Sequence, residues 1–437
     1  MRFIACGFSG LVRFASLLAL ALNVGATISQ RPLGGGSDDD GRQPVSVALF
    51  SSLERMSRLV DIAYCVGTTG VSEPFSCASR CIEFPTLVLA KTWNTGILMK
   101  DSCGYIAVDH GVRRPDTKED ERDLLGGKAI IIAFRGTYSI ANTVVDLSTV
   151  PQEYLPYPSP DNGGETAKAP SHKCNNCTVH QGFLESWQQA RKLVLPELEA
   201  LKAQFPDYPV HLVGHSLGGA VAMLAALELR VSLGWDDLLV TTFGEPKVGN
   251  QPLCDYVDAV FALDTEAEAA GAADPEKRVY RRVTHADDPV PLLPLTEWGY
   301  RSHGGEFFIT KPDLSPSVED VVVCRGASDD QCIAQGDVEV EQVEAVADEG
   351  VQQGEEEEEQ EERLAGAVEG TAPQERRWVK RFPSVPARFK LWQLFFAHRD
   401  YFWRIGLCVP GGDPANWGRE KYPDGQGGDD DARLEEL

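Results

Sequence analysis

Residues 212–220, LVGHSLGGA, place Ser216 between two glycines in the spacing Gly-x-Ser-x-Gly. A short apolar run precedes the serine, and an alanine- and leucine-rich segment follows it. In a nucleophile elbow the serine sits on a strained strand-to-helix turn that lifts its hydroxyl above the edge of a sheet. Glycines at 214, 218 and 219 leave room for the tight turn. The alternative is a serine in an ordinary turn, but the strand–turn–helix context favours nucleophilic catalysis by Ser216.

A serine hydroxyl needs a histidine to take its proton and a carboxylate to hold that histidine in the right tautomer. Where the serine lies on an elbow, the chain order is serine, then carboxylate, then histidine. Only His285, His303 and His398 follow Ser216. His285 precedes the best carboxylate loop, which leaves His303 and His398 as candidate bases.

The best carboxylate loop ends the stretch RVYRRVTHADDPVP, where Asp287 and Asp288 directly follow a predicted strand. A carboxylate at the carboxyl end of a strand lies at the same edge of a sheet as an elbow serine. Both aspartates cannot face one imidazole, so the residues alone leave a choice between two.

The elements that must position these residues alternate between strands and helices. Residues 45–65 show helical spacing of apolar residues, and residues 129–134 and 210–213 are short apolar runs typical of buried strands. A helix is expected after the elbow, ending near Arg230, and two further strands follow within LLVTTFGEP and RVYRRVTHADDPVP. This alternation predicts an α/β fold with a mainly parallel central sheet.

The N-terminus has the pattern of a secretory signal peptide. Arg2 and Arg13 supply positive charge before the apolar run 14–24. Small residues up to Ala26 lie where a signal peptidase would cut. The apolar run is too short to span a bilayer, and a buried N-terminal helix is the alternative. We expect a signal peptide over 1–26, a linker or propeptide over 27–44, and a secreted protein.

Eleven cysteines suit an oxidising compartment. Cys6 falls within the predicted signal peptide, so ten cysteines remain. Short spacings indicate local disulfides: Cys77 with Cys81, Cys174 with Cys177, and Cys324 with Cys332. Residues 174–177, CNNC, also have metal-ligand spacing, but no second Cys or His pair lies at a zinc-like distance. We therefore expect a disulfide there, no metal and no cofactor.

Acidic residues concentrate late in the chain. The net charge is −25, and residues 336–363 hold 13 acidic residues against one basic. This charge argues against a nucleic acid partner. Residues 312–381 are expected to form a disordered acidic insertion within a single domain over 45–410, and 411–437 an acidic tail. A partner- or calcium-binding role for the insertion is the alternative. Basic pairs between Arg376 and Arg381 suggest proteolytic cleavage there.

Seven motifs in order resemble the secreted lipases of filamentous fungi, the class 3 α/β hydrolases, whose relatives include feruloyl esterases. The motifs are VALFSSLERMSRLVDIAYC, IIIAFRGT, CNNCTVHQGFLESW, VGHSLGGAVAMLAALELR, TFGEPKVGN, DDPVPLLP and HRDYFWRIGLC. The resemblance covers most of residues 45–310 and 385–410. It implies the α/β-hydrolase fold with a nucleophile elbow and a helical lid.

The resemblance also selects among the site residues. It implies Asp288, directly before Pro-Val-Pro, as the carboxylate, and His398, ahead of Tyr-Phe, as the base. The amides of Leu217 and Thr137 would form the oxyanion hole. The resemblance further implies a disulfide between Cys65 and Cys408. Cys103 and Cys254 remain, and we expect them to bond to each other.

A lid would follow Thr137. Ile140, Val144 and Leu147 recur at i, i+4 and i+7 and would form one apolar helix face. In the family such a helix covers the serine in water and turns outward at a lipid surface, and a fixed surface helix is the alternative.

The sequence therefore predicts a secreted triacylglycerol lipase that meets a lipid or ester substrate at an oil–water interface. Its contact with lipid surfaces would be peripheral. A feruloyl or short-chain carboxylesterase is one alternative, and a non-catalytic secreted binding protein on the same fold is another.

Overall fold

The computed structural model of the chain describes residues 44–96, 101–111, 127–137, 151–154, 174–263, 274–334 and 397–409, which all belong to one compact unit. The strands are β1 (Val71–Ser72), β2 (Ser76–Cys77), β3 (Leu87–Asn94), β4 (Cys103–Asp109), β5 (Ala129–Phe134), β6 (Pro151–Glu153), β7 (Thr178–His180), β8 (Val210–His215), β9 (Leu238–Phe243), β10 (Tyr280–His285), β11 (Glu306–Ile309) and β12 (Val321–Val323). The α-helices are α1 (Val47–Ala63), α2 (Gln181–Gln204), α3 (Leu217–Val231) and α4 (Gln251–Phe261). Short 3-10 turns occupy Arg80–Glu83, Pro275–Lys277, Val290–Leu292, Thr296–Trp298 and Val318–Asp320.

Eight strands form the central sheet in the order β12-β11-β10-β9-β8-β5-β4-β3. Five neighbouring strands of this sheet pair in parallel: β5, β8, β9, β10 and β11. Ile132 lies opposite Leu212, and Thr284 lies opposite Phe308. The outer strands β3, β4 and β12 pair antiparallel. The prediction of an α/β fold with a mainly parallel sheet is confirmed, and the antiparallel edges are additions to it.

Successive residues of β5 enter two different cores. Ile130 and Ile132 pack with α2, α3 and α4 on one face of the sheet. Ile131 and Ala133 pack with α1 and the C-terminal segment 397–409 on the other face. Alternation of this kind follows from the two-residue period of a strand, and an apolar run without polar interruption is what a strand covered on both faces requires.

Helix α1 holds the C-terminal segment 397–409 in place. Cys65, just after the helix, forms a disulfide with Cys408, and the buried Asp61 carboxylate accepts the N–H of Gly406 at 2.7 Å. Other contacts are the edge-to-face rings of Phe50 and Phe402 at 5.0 Å, and the indole N–H of Trp403 donating to Glu54 Oε1 at 2.9 Å. The segment that carries His398 is thus fixed to the first helix of the unit.

The structure contains the four predicted disulfides, Cys65–Cys408, Cys77–Cys81, Cys174–Cys177 and Cys324–Cys332.

The expected bond between Cys103 and Cys254 is wrong, because both are buried free thiols. Cys103 begins β4 within the core on the α1 side, whereas α4, which carries Cys254, packs into the opposite core. The sheet therefore separates the two thiols. Each instead donates to a nearby carbonyl, that of Val66 at 3.3 Å and that of Arg301 at 3.2 Å, respectively.

The predicted boundary of the acidic insertion at 312 is also wrong. Residues 312–334 are folded, and β12 within them adds to the central sheet, with Val322 opposite Phe308. A capping box between Ser317 and Asp320 forms the turn before β12, and the Cys324–Cys332 disulfide follows it. The acidic composition of this span led to the wrong boundary, because it outweighed the three valines that pair with β11.

Several predictions concern residues outside the described ranges. These are the signal peptide 1–26, the linker or propeptide 27–43, the lid residues Ile140, Val144 and Leu147, the remainder of the insertion with its basic pairs, and the tail 411–437. Among the helices that are described, none has the length and apolar character needed to cross a membrane.

Candidate active site

Ser216 lies at the junction of β8 and α3 with φ 58° and ψ −131°, a strained conformation for a residue with a side chain. Its N–H donates to the carbonyl of Phe243 on β9 at 2.9 Å, which fixes the turn to the next strand. A Cβ on Gly214 would lie 2.2 Å from Gly218 O, and one on Gly218 would lie 2.3 Å from Phe134 O. The turn therefore excludes side chains at both flanking positions, as a nucleophile elbow requires.

His398 and Asp288 form a buried hydrogen-bonded pair. His398 Nδ1 lies 2.9 Å from both carboxylate oxygens of Asp288, and the two residues are 0% and 1% exposed. The loop N–H of Val290 also donates to Asp288 Oδ1 at 2.9 Å. His398 Nε2 is buried and has no hydrogen-bond partner within the described part of the chain. The imidazole thus presents a nitrogen that can receive a proton.

The elbow packs directly against this pair. The ring of His215, the residue before Ser216, lies 4.6 Å from the ring of His398, centroid to centroid. Gly244 follows Phe243, and a Cβ added to it would lie 2.7 Å from His398 Cε1 and 2.8 Å from Asp288 Oδ2. The structure therefore brings the predicted serine, histidine and aspartate to one edge of the sheet, although they come from distant parts of the sequence.

The two predicted oxyanion donors flank Ser216. Leu217 is the first residue of α3, where the N–H groups of the first turn point out of the helix and the dipole favours negative charge. Thr137 follows Gly136, at which a Cβ would lie 2.7 Å from Ser216 Cβ. Both backbone segments thus lie beside the serine.

Sequence reasoning missed two tyrosines at the site. Tyr401 donates its hydroxyl to Asp288 Oδ2, and burial together with the carboxylate charge raises the pKa of Tyr401 well above its ordinary value. Tyr64, at the end of α1, accepts the N–H of Gly136 at 3.2 Å. Tyr401 lies in the HRDYFW motif, so its nearness to His398 was a signal. For Tyr64 no signal was available, because its contacts depend on how α1 packs.

The remaining candidates have other partners or face solvent. His303 Nε2 is bound to Glu245 at 3.0 Å, so the structure does not place it as the partner of Ser216. His285 donates from Nε2 to the carbonyl of Lys311 at 2.9 Å. Asp287 is exposed, as expected for a solvated neighbour of Asp288.

Ser216 is only 2% exposed. The side chain of the candidate nucleophile is therefore largely shielded from solvent.

The sheet, the elbow and the buried histidine–aspartate pair define an α/β hydrolase. The sequence profile of one family, Lipase (class 3), matches residues 131–298. Lipase A of Sodiomyces alcalophilus is 62% identical over 405 residues, which are 92% of each chain. Secreted mono- and diacylglycerol lipase 2 of Gibberella zeae is 58% identical over 381 residues, or 86% of each chain. The chain belongs to the class 3 lipase family.

Solved structures support the same assignment. The Lip2 lipase of Yarrowia lipolytica superposes with a TM-score of 0.54 at 31% identity, covering 67% of this chain and 90% of that one. The lipase of Rhizopus microsporus var. chinensis gives a TM-score of 0.51 at 25% identity, covering 71% and 89%.

Proposed function

We propose that the protein is a secreted lipase that hydrolyses acylglycerol esters, with Ser216 as nucleophile, His398 as base and Asp288 as orienting carboxylate. The observation that carries the proposal is the buried His398–Asp288 pair, which packs against the elbow and leaves His398 Nε2 without a partner among the described residues. Family membership supports the ester chemistry, and two relatives whose names call them secreted support export.

Acylation begins when Ser216 Oγ attacks the ester carbonyl carbon. His398 Nε2 accepts the hydroxyl proton and then delivers it to the leaving alcohol. The carboxylate of Asp288 holds Nδ1–H, so Nε2 is the nitrogen free to take the proton. The carboxylate also stabilises the imidazolium that forms.

The tetrahedral intermediate carries its negative charge on the former carbonyl oxygen. The backbone N–H groups of Leu217 and Thr137 would receive this oxyanion, assisted by the N-terminal end of α3. Water activated by His398 then attacks the acyl-enzyme, and the fatty acid leaves from Ser216.

An oil–water interface is the proposed place of action. An apolar helix over Ile140, Val144 and Leu147 would cover the serine in water and move aside at a lipid surface, and the low exposure of Ser216 supports this proposal. Exposing such a face in water costs free energy that contact with lipid recovers. The expected sign is a rise in activity once the substrate exceeds its solubility.

The range of acylglycerols is open to a direct test. The Gibberella zeae relative is named a mono- and diacylglycerol lipase, so partial glycerides join triacylglycerols as candidate substrates. Initial rates on tributyrin, dibutyrin and monobutyrin would rank them, and methyl ferulate tests the esterase alternative.

The catalytic roles are tested by substitution. Ser216→Ala should abolish hydrolysis of tributyrin, and retained activity would refute the assignment. Asp288→Asn should lower kcat by about 1,000-fold or more, because the histidine loses its anionic partner. Asp287→Asn is the matched control, since Asp287 is the exposed neighbouring carboxylate, and it should keep wild-type activity.

A further inference from the structure

A chain of hydrogen bonds runs through the buried interior behind the candidate site. The N–H of Gly136 donates to Tyr64 Oη at 3.2 Å. Tyr64 Oη lies 2.5 Å from His215 Nδ1, and His215 Nε2 lies 2.7 Å from the backbone carbonyl of His398. The two side chains that form these hydrogen bonds, Tyr64 and His215, are each only 1% exposed.

The chemistry of these groups fixes which atom donates in each of these hydrogen bonds. A carbonyl can only accept, so His215 Nε2 carries the hydrogen. Burial, with smaller contributions from His398 and Arg399, lowers the pKa of His215 well below 6.5, so the ring is neutral and Nδ1 is an acceptor. Burial raises the pKa of Tyr64 to about 12, so its hydroxyl keeps its proton and donates to Nδ1.

The chain joins three segments that each hold one part of the proposed machinery. Gly136 precedes Thr137, His215 precedes Ser216, and the third segment contributes the carbonyl of His398 itself. Asp288 fixes the side chain of His398, whereas His215 fixes its backbone.

We propose that His215 and Tyr64 are positioning residues, which hold the oxyanion amide, the nucleophile and the base at their working separations. This inference rests on the proposed function, because it assigns roles relative to Ser216 and His398. Neither side chain is placed to touch the ester, so each acts through the backbone groups that it holds. The residue between glycine and serine in the elbow motif is thereby given a mechanical role in catalysis.

The test compares substitutions that keep the hydrogen bond on one side of His215, on the other side, or on neither. His215→Asn keeps an acceptor near the position of Nδ1, His215→Gln keeps a donor near the position of Nε2, and His215→Ala keeps neither. Tyr64→Phe removes the hydroxyl and keeps the ring. Hydrolysis of p-nitrophenyl butyrate below its solubility limit measures kcat and KM without an interface.

We expect His215→Ala and Tyr64→Phe to lower kcat by about 10- to 100-fold with KM nearly unchanged, since each leaves a buried polar group unpaired and displaces groups used in the transition state. The Asn and Gln variants should each recover part of the loss. Tyr64→Phe should cost less in the His215→Ala background than in the wild type, because the bond between the two is already absent.

Tyr105→Phe is the matched control. Tyr105 is a fully buried tyrosine whose hydroxyl donates to the carbonyl of Leu59 on the same helix α1 at 2.9 Å. It should lower the unfolding temperature as Tyr64→Phe does and leave kcat unchanged. Equal kcat for Tyr64→Phe and wild type, or equal kcat losses for the Tyr64 and Tyr105 variants, would overturn the inference. Ser216→Ala in the same assay separates this outcome from failure of the proposed function, since activity that survives Ser216→Ala concerns the nucleophile and not its positioning.

Discussion

Tyr401 and His398 hold the same carboxylate. The hydroxyl of Tyr401 donates to Asp288 Oδ2, three residues along the chain from the imidazole that binds both oxygens of Asp288. The tyrosine thus fixes the rotation of the buried carboxylate and adds a third donor to those of His398 and the N–H of Val290.

Tyr401→Phe should therefore reduce kcat/KM on p-nitrophenyl butyrate by about 10- to 100-fold, because a hydrogen bond to a buried charged group contributes about 1.5–3 kcal/mol. Tyr280→Phe is the control, since Tyr280 makes the same kind of buried bond to Glu245 at 2.8 Å. The control should lose stability and keep kcat/KM. Equal activity losses in the two variants would contradict a specific role for Tyr401.

Gly244 lies at φ +57°, and a Cβ there would approach His398 Cε1 at 2.7 Å and Asp288 Oδ2 at 2.8 Å. Gly244→Ala should displace the pair and lower kcat by about 100-fold or more, since small misplacements of catalytic groups cost this much. Gly234→Ala is matched in backbone conformation, at φ +69°, but meets nothing within 4 Å. It should show the strain in its unfolding temperature alone, and a similar loss of kcat there would refute the steric explanation.

The Cys65–Cys408 disulfide closes a sequence separation of 343 residues, whereas Cys77–Cys81 closes one of 4. Loop entropy predicts that Cys65→Ser with Cys408→Ser lowers the free energy of unfolding by about 5–6 kcal/mol, against about 2 kcal/mol for the Cys77 and Cys81 pair. Urea titration of both double variants measures the difference. Equal losses would show that the long-range bond does not anchor the His398 segment to α1.

The buried His215 predicts a pH dependence of stability. Because burial lowers its pKa, the folded state keeps the ring neutral while the unfolded state binds a proton below about pH 6.5. The unfolded state then binds more protons, so stability falls as pH falls. Wild type should lose up to about 1.4 kcal/mol per pH unit more than His215→Gln below pH 6.5. Denaturant titrations from pH 7.5 to 4.5 check this, and parallel curves would contradict it.

The sequence predicted the elements whose signals are local. The apolar run 129–134 forms β5, and Ser216 lies at the predicted turn between β8 and α3. Buried strands and tight turns can be predicted locally because the first require apolar residues and the second require glycines. The choice of Asp288 over Asp287 needed the family motif, since two adjacent aspartates after a strand look alike. In the structure Asp287 is exposed and Asp288 is buried, which distinguishes the two.

Features that depend on packing between distant segments were missed. Tyr64 and His215 are separated by 151 residues, and no periodicity relates them. Strand β12 was assigned to the insertion because the span 312–381 is acidic and poor in aromatic residues. Contacts with distant segments stabilise it, namely the pairing with β11 and the bond from the N–H of Val45 to the carbonyl of Val321 at 3.2 Å. The proposed Cys103–Cys254 bond rested on an even count of cysteines, which carries no information about the face of the sheet on which each lies.

Labelling with a fluorophosphonate, followed by intact mass and peptide mapping, tests whether Ser216 is the nucleophile. We expect one covalent adduct, on Ser216, with labelling abolished in Ser216→Ala and strongly slowed in His398→Ala. An adduct on another residue of the wild type, or unchanged labelling of the Ser216→Ala protein, would contradict it.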